Sequence, residues 1–233
     1  MSRALQLALV IALAAVVVVG AIVLSSNGAD EPAATSSPGV TPAEELRELY
    51  AGIPQRGIRL GDADAPATLV EIADLQCPFC AQYSREALPS IVDDYVRTGK
   101  LNYELQIRSF LGRDSVRAAG AAAAAADQNL MYQFSDLFFR DQGPENSGYA
   151  DDDFIRGVAS QVEGLDVEAV VAAADDPLAQ PAVRRAEQFA RDLGSTATPD
   201  FYVRKGDRLT PVTPQGTSPE AYAAAIDAAL ANR

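Results

Sequence analysis

Apolar positions divide the middle of the chain into strand and helix segments. Ala67–Ala73 is apolar at nearly every position, which is typical of a central strand that is covered on both faces. Leu101–Arg108 alternates apolar and polar side chains and predicts the next strand. Between them, Pro78–Thr98 has a helical pattern, with a kink expected at Pro89 because proline lacks a backbone N–H. This order predicts a parallel pair of strands with a right-handed crossover.

Beyond Arg108 the pattern predicts several helices, then a hairpin and a last helix. No convincing strand occurs from Ser109 to about Leu193. Helices are predicted there over Arg113–Asp127, Met131–Asp141, a segment opened by Asp151-Asp152-Asp153, Asp166–Ala174 and Pro177–Leu193. The aromatic side chains of Met131–Asp141 predict core packing, with a substrate-facing rim as the alternative. A short strand at Gly57–Gly61, a hairpin of Phe201–Arg204 and Leu209–Thr213, and a helix at Pro219–Ala231 complete an α/β pattern.

The uncharged run Ala4–Leu24 predicts a membrane span, because about 20 apolar residues cross a bilayer. A cleaved secretory signal, whose apolar part is usually about 7–15 residues long, is the alternative. Arg3 precedes the run, and Asp30 and Glu31 follow it, so we expect the short N-terminus in the cytoplasm and the rest outside. The expected location is therefore the cell membrane, with a single pass and an extracytoplasmic main domain.

Three segments follow from these patterns. Residues 1–24 are the cytoplasmic N-terminus and the signal anchor. Residues 25–52 are a flexible tether rich in Ser, Pro, Ala and Gly, which ends in a short helix, Pro42–Tyr50. Residues 53–233 are the folded domain, with a helical insertion at about 109–193. With 48% apolar residues, the chain can bury a full core in this domain.

Charge and composition exclude several functions. The net charge of −13 argues against nucleic-acid binding, which needs basic side chains to meet phosphates. The chain has no histidine, so histidine-based catalysis and histidine metal sites are excluded.

The only two cysteines, Cys77 and Cys80, form a Cys-x-x-Cys motif between the apolar strand and the helix. Such a motif at a strand-to-helix junction is typical of a redox site. Pro78 suits the first helical position, which puts Cys77 beside free backbone N–H groups and the positive end of the helix dipole. Both favour the thiolate, so we expect Cys77 to be the nucleophile and Cys80 the resolving thiol.

Three other interpretations of the pair stay open. A structural disulfide across so short a loop would restrict the unfolded chain little. A zinc site needs about four ligands and would have to be shared or completed by carboxylates. Two buried, inert thiols are the third. Glu71, inside the apolar strand, is a candidate for proton exchange with Cys80 if it is buried. If the strand is half exposed, Glu71 faces solvent instead.

Two sequence blocks, Leu69–Cys80 and Ser195–Val203, resemble the DsbA-like branch of the thioredoxin superfamily, in the family's order. The resemblance covers roughly Ile53 to Arg233. It implies a thioredoxin-like α/β fold with a helical insertion, and it gives Glu71 the role of the buried acid.

The same resemblance implies a substrate-binding region beside the cysteines. Thr198 and a cis-Pro199 would lie against the motif, and with Pro78 and Phe79 they would contact substrate. The chain departs from the family's pattern at Phe79, where the best-known oxidases have histidine, and after Pro199, where Asp200 replaces the frequent threonine. The strength of oxidation therefore stays open.

The resemblance implies a protein disulfide oxidoreductase whose redox group is the Cys77–Cys80 disulfide, with no metal or other cofactor. Its expected partners are protein or peptide thiols and disulfides, and a membrane redox partner that resets the site. We prefer oxidation of substrate thiols. The alternatives are a reductase or isomerase, and a tethered peptide-binding module whose cysteines are incidental.

Overall fold

The structure is a computed structural model, and it describes residues 40–177 and 180–232. A six-stranded sheet lies at its centre, with the strands in the order β1-β2-β4-β3-β5-β6. The strands are β1 (Gln55–Arg56), β2 (Arg59–Leu60), β3 (Thr68–Ala73), β4 (Asn102–Ile107), β5 (Asp200–Lys205) and β6 (Arg208–Val212). The helices are α1 (Pro42–Tyr50), α2 (Pro78–Glu86), α3 (Leu88–Ile91), α4 (Arg113–Asp127), α5 (Met131–Arg140), α6 (Asp152–Ala159), α7 (Val167–Asp175), α8 (Pro181–Asp192) and α9 (Pro219–Ala231). The predicted thioredoxin-like α/β arrangement is confirmed.

The two central strands, β3 and β4, are parallel and pair from Thr68 with Asn102 to Ala73 with Ile107. Every residue of both strands is buried, as expected for strands covered on both faces. β5 pairs with β3 in the antiparallel direction and turns back into β6. Four residues separate the end of β3 from the start of α2, so the sheet places the Cys-x-x-Cys motif at the carboxyl end of a central strand.

Two predicted elements differ in detail. The single strand expected at Gly57–Gly61 is instead the second half of a hairpin, in which Gln55 pairs with Leu60 and β2 pairs with β4. Strands of two residues are too short to show a period, which is why the sequence pattern missed β1. The helix expected over Pro78–Thr98 ends at Glu86, and after α3 its last part, Val92–Val96, is π-helical.

The N-terminal helix α1 belongs to the folded unit, which begins at Thr41. Thr41 caps the helix with a reciprocal bond to Glu44. Leu46 and Tyr50 are buried in the main core, so the boundary expected near Ile53 falls inside the folded unit.

The predicted membrane span, Ala4–Leu24, and the tether up to residue 39 lie outside the residues that the structure describes. Within those residues, no helix has the length and apolar character needed to cross a membrane.

The helical insertion is confirmed, and in its described part no strand occurs between β4 and β5. The aromatic residues of α5 are buried, as predicted for core packing. The alanine-rich helix α4 lies close to α7, because Gly120 has no side chain at the contact. A Cβ added to Gly120 would lie 2.3 Å from the carbonyl oxygen of Ala173.

Candidate redox-active site

Cys77 is the N-cap residue of α2, with Pro78 in the first turn, as the sequence predicted. The backbone N–H of Cys77 donates to the carbonyl of Asp74 at 2.9 Å, which fixes the turn between β3 and the helix. Both cysteines are free thiols in this structure. Cys80 is fully buried, and Cys77 is 4% exposed. Both thiols are therefore buried at the helix start, Cys80 completely and Cys77 almost completely.

The environment of Cys77 favours its thiolate. The hydrogen bond from the Cys80 thiol is the largest cause that lowers the pKa of Cys77, to about 6, and partial burial opposes it. Thr198 and the backbone N–H groups of Phe79 and Cys80 lower the pKa further. The Cys77 sulfur lies 3.2 Å from the carbonyl oxygen of Thr198, so the two sequence blocks meet at this atom.

The environment of Cys80 has the opposite effect. Burial raises the pKa of Cys80 well above its ordinary value, and the hydrogen bond to Cys77 and the charge of Glu71 raise it further. At neutral pH, Cys77 is largely a thiolate and Cys80 a thiol. A thiolate, rather than a thiol, is the attacking species in disulfide exchange.

Glu71 is buried in β3, with 3% of its surface exposed, so the solvent-facing alternative is wrong. Its Oε2 accepts a hydrogen bond from the hydroxyl of Tyr103 on β4, and its Oε1 has no partner among the described residues. Burial raises the pKa of Glu71 to about 8, although the bond from Tyr103 acts in the other direction. Such a group can take up or release a proton near neutral pH.

The predicted substrate-binding residues lie at the same end of the sheet. The Thr198-Pro199 bond is cis, and Asp200 begins β5, where its carboxylate accepts a 2.9 Å hydrogen bond from Tyr202. Phe79 is 65% exposed beside Cys77. An aromatic side chain with that much exposed surface at a redox motif is suited to contact a bound chain.

The sequence pattern missed two residues near the motif. Asp74, directly after β3, is buried and accepts bonds from the N–H groups of Phe110 and Leu111 at 2.7 and 2.9 Å. It thereby holds the loop after β4 beside the motif. Phe110 in that loop is 43% exposed, with the guanidinium of Arg108 4.5 Å from its ring centre. Both residues follow parallel strands, whose carboxyl ends lie at one edge of the sheet, and this position in the sequence could have indicated them.

Among the described residues, no group of three or more acidic or cysteine side chains is arranged to hold a metal ion.

A family model described as thioredoxin matches residues 55–228, which include β1 through most of α9. The chain belongs to this thioredoxin family. The match covers both cysteines, Glu71 and the Thr198-Pro199 turn.

Named relatives and solved structures agree with the family. A probable disulfide bond formation protein D of Bacillus anthracis is 24% identical over 234 aligned positions, which cover 99% of this chain and 91% of the relative. The structure of BdbD from Bacillus subtilis has a TM-score of 0.64 at 20% identity and covers 76% of this chain and 97% of that one. The structure of α-DsbA1 from Wolbachia pipientis has a TM-score of 0.62 at 23% identity, with 81% and 96% covered.

Proposed function

We propose that this protein disulfide oxidoreductase oxidises the thiols of other proteins outside the cytoplasm, through a disulfide between Cys77 and Cys80. The observation that carries the proposal is the opposite shift of the two thiols: the pKa of Cys77 is lowered to about 6, and the pKa of Cys80 is raised. A stabilised thiolate stabilises the reduced form, and a redox protein whose reduced form is stabilised is an oxidant.

The exchange begins with the disulfide form. A substrate thiolate attacks the sulfur of Cys77, the Cys77–Cys80 bond breaks, and Cys80 leaves as a thiolate. The high pKa of Cys80 makes it take a proton at once, and Glu71 is the buried acid that supplies it. A second substrate thiolate then attacks the substrate sulfur of the mixed disulfide and releases the Cys77 thiolate. The substrate gains a disulfide, and the protein is left as the dithiol.

The dithiol must lose two electrons before the next cycle. We assign that step to a redox partner in the membrane, which fits the predicted anchor at Ala4–Leu24 and the oxidising space outside the cytoplasm. The relatives named disulfide bond formation proteins support the direction toward oxidation.

Substrate contacts come from the rim around Cys77. Pro78 and exposed Phe79 lie on the helix side, and Thr198 and Pro199 lie on the other, where the Thr198 carbonyl is in contact with the cysteine sulfur. Exposed Phe110 extends the apolar surface on the loop after β4. This surface suits an unfolded chain with apolar side chains next to its cysteine.

The test is oxidation of a reduced, unfolded protein that has two cysteines. The disulfide form of the full chain should convert it to the disulfide form, one substrate bond per molecule of protein. The Cys77→Ser variant should convert none of it while keeping its fold by circular dichroism. Oxidation of the substrate by Cys77→Ser at the wild-type rate would favour the peptide-binding module with incidental cysteines. Faster reduction of a substrate disulfide than oxidation of the dithiol would favour the reductase.

A further inference from the structure

The residue that orients Glu71 lies on the neighbouring strand. β3 and β4 pair Leu69 with Tyr103 and Glu71 with Leu105. Side chains two residues apart on a strand share a face, so Tyr103 and Glu71 are diagonal neighbours on one side of the sheet. Tyr103 is fully buried, and its hydroxyl donates to Glu71 Oε2.

Among the residues that the structure describes, no cation forms an ion pair with Glu71. None of the ion pairs formed by the described residues involves Glu71. Both lysines of the chain bind elsewhere: Lys100 lies 4.9 Å from the ring centre of Tyr95, and Lys205 donates to the carbonyl of Leu230. Tyr103, Asp136 and Cys77 act on the pKa of Glu71. Glu71 in turn acts on the pKa of four buried or half-buried groups of helices α2, α5 and α9, which are Cys80, Tyr83, Tyr132 and Tyr222.

Phenols, thiols and a carboxyl cannot offset the cost of a buried negative charge as a cation would. The bond from Tyr103 is the contact that lowers the pKa of Glu71, whereas burial and the charges of Asp136 and Cys77 raise it. The same bond occupies Oε2 and leaves Oε1 as the oxygen without a partner. A carboxyl held in this way exchanges its proton at one defined atom.

We propose that Tyr103 is a positioning residue, which fixes one oxygen of Glu71 so that the other exchanges a proton with Cys80, and which stabilises the Glu71 carboxylate through its hydroxyl. The inference rests on the proposed function. In the direction toward the disulfide, Cys80 gives its proton to the Glu71 carboxylate and attacks Cys77 of a mixed disulfide. The new Cys77–Cys80 bond forms, and the other thiol leaves as a thiolate.

The experiment measures the reactions of the two cysteines separately. The reduced full chain is mixed with an aromatic disulfide, dithiobis(nitrobenzoate). Attack by Cys77 releases the first thionitrobenzoate, and attack by Cys80 on the mixed disulfide releases the second. The rate of the second release is measured against pH in the wild type and in two variants, Tyr103→Phe and Tyr50→Phe.

Tyr50→Phe is a matched control, because the Tyr50 hydroxyl also donates to a buried carboxylate, that of Asp136. Both variants lose one buried bond of the same kind, so a merely structural role would give both the same result. We expect Tyr103→Phe to move the midpoint of the second release up by about one pH unit, because a hydrogen bond to a charged group is worth about one to two units. At neutral pH this slows the second release roughly tenfold. Tyr50→Phe should not move the midpoint up, because loss of its bond raises the pKa of Asp136, and less charge on Asp136 lowers the pKa of Glu71.

Three results would overturn the inference. One is a midpoint of the second release in Tyr103→Phe that equals the wild-type midpoint. Another is an equal shift of this midpoint in Tyr103→Phe and Tyr50→Phe. The third is a shift by Tyr103→Phe that persists in the Glu71→Gln background, where no carboxyl remains to be oriented. If Tyr103→Phe fails to fold, Tyr103→fluorotyrosine keeps the shape and donates a stronger hydrogen bond, and it should move the midpoint down. No first release from the wild type would instead refute the proposed function.

Discussion

Replacement of Glu71 by glutamine should stabilise the fold while it impairs proton exchange. Glutamine keeps the size of the side chain and an oxygen that can accept the Tyr103 bond, but it removes the charge. Because burial raises the pKa of Glu71 to about 8, the wild type loses stability as the pH rises from the unfolded-state pKa of about 4.3 through the folded pKa. The glutamine variant lacks this loss.

The magnitude follows from the shift. Each unit of pH between the two pKa values costs about 1.4 kcal/mol of folding free energy, because the unfolded chain releases a proton that the folded chain retains. Wild-type Glu71 therefore lowers the free energy of unfolding by about 1 kcal/mol at about pH 5 and by about 4 kcal/mol at about pH 7. The loss levels off near about 5 kcal/mol above about pH 9.

Urea unfolding of the reduced full chain at several pH values measures this effect. Glu71→Gln should become steadily more stable than the wild type between about pH 5 and about pH 9. Glu86→Gln, which replaces an exposed acid at the end of α2, serves as the control and should follow the wild type. A constant difference between Glu71→Gln and the wild type across this range would refute the conclusion that Glu71 is neutral in the folded protein near pH 7.

Three further outcomes are expected. Alkylation of the reduced protein by iodoacetamide should rise through a midpoint near pH 6, the lowered pKa of Cys77, and a midpoint above about pH 8 would contradict the thiolate environment. Phe79→Ser should raise the KM for an unfolded protein substrate and leave the alkylation midpoint unchanged; an unchanged KM would exclude Phe79 from the substrate surface. Gly120→Ala should lower the free energy of unfolding by about 1–3 kcal/mol, measured by thermal unfolding, because the added methyl group overpacks against α7. Gly157→Ala, which has open space at its Cβ, should not lower the free energy of unfolding. Equal effects of the two substitutions would refute the close contact.

The sequence pattern predicted the elements that are long or strongly marked. β3 is mostly apolar and α9 begins at a proline after a serine cap, so both could be placed to within one residue. Pro78 inside the Cys-x-x-Cys motif predicted the position of Cys77 at the helix start, because proline suits the first helical position, where its missing N–H needs no partner.

The parts that could not be predicted depend on register. The contact between Tyr103 and Glu71 exists because β4 pairs with β3 at one particular offset, and a shift by one residue would turn Tyr103 to the other face. Burial of Glu71 likewise depends on helices that cover both sides of the sheet. Asp74 holds the loop at Phe110 and Leu111 through contacts between residues far apart in the chain, which no local pattern marks.

The reduction potential of the Cys77–Cys80 pair, measured in the full chain equilibrated against glutathione buffers, tests the proposed oxidation most directly. A lowered pKa of Cys77 stabilises the dithiol, and we predict a potential in the range of protein oxidants, about −180 to −120 mV. A potential near about −270 mV, typical of reductases, would contradict oxidation as the direction of exchange. Failure to form the disulfide at any ratio of the buffer would contradict the redox role of the pair.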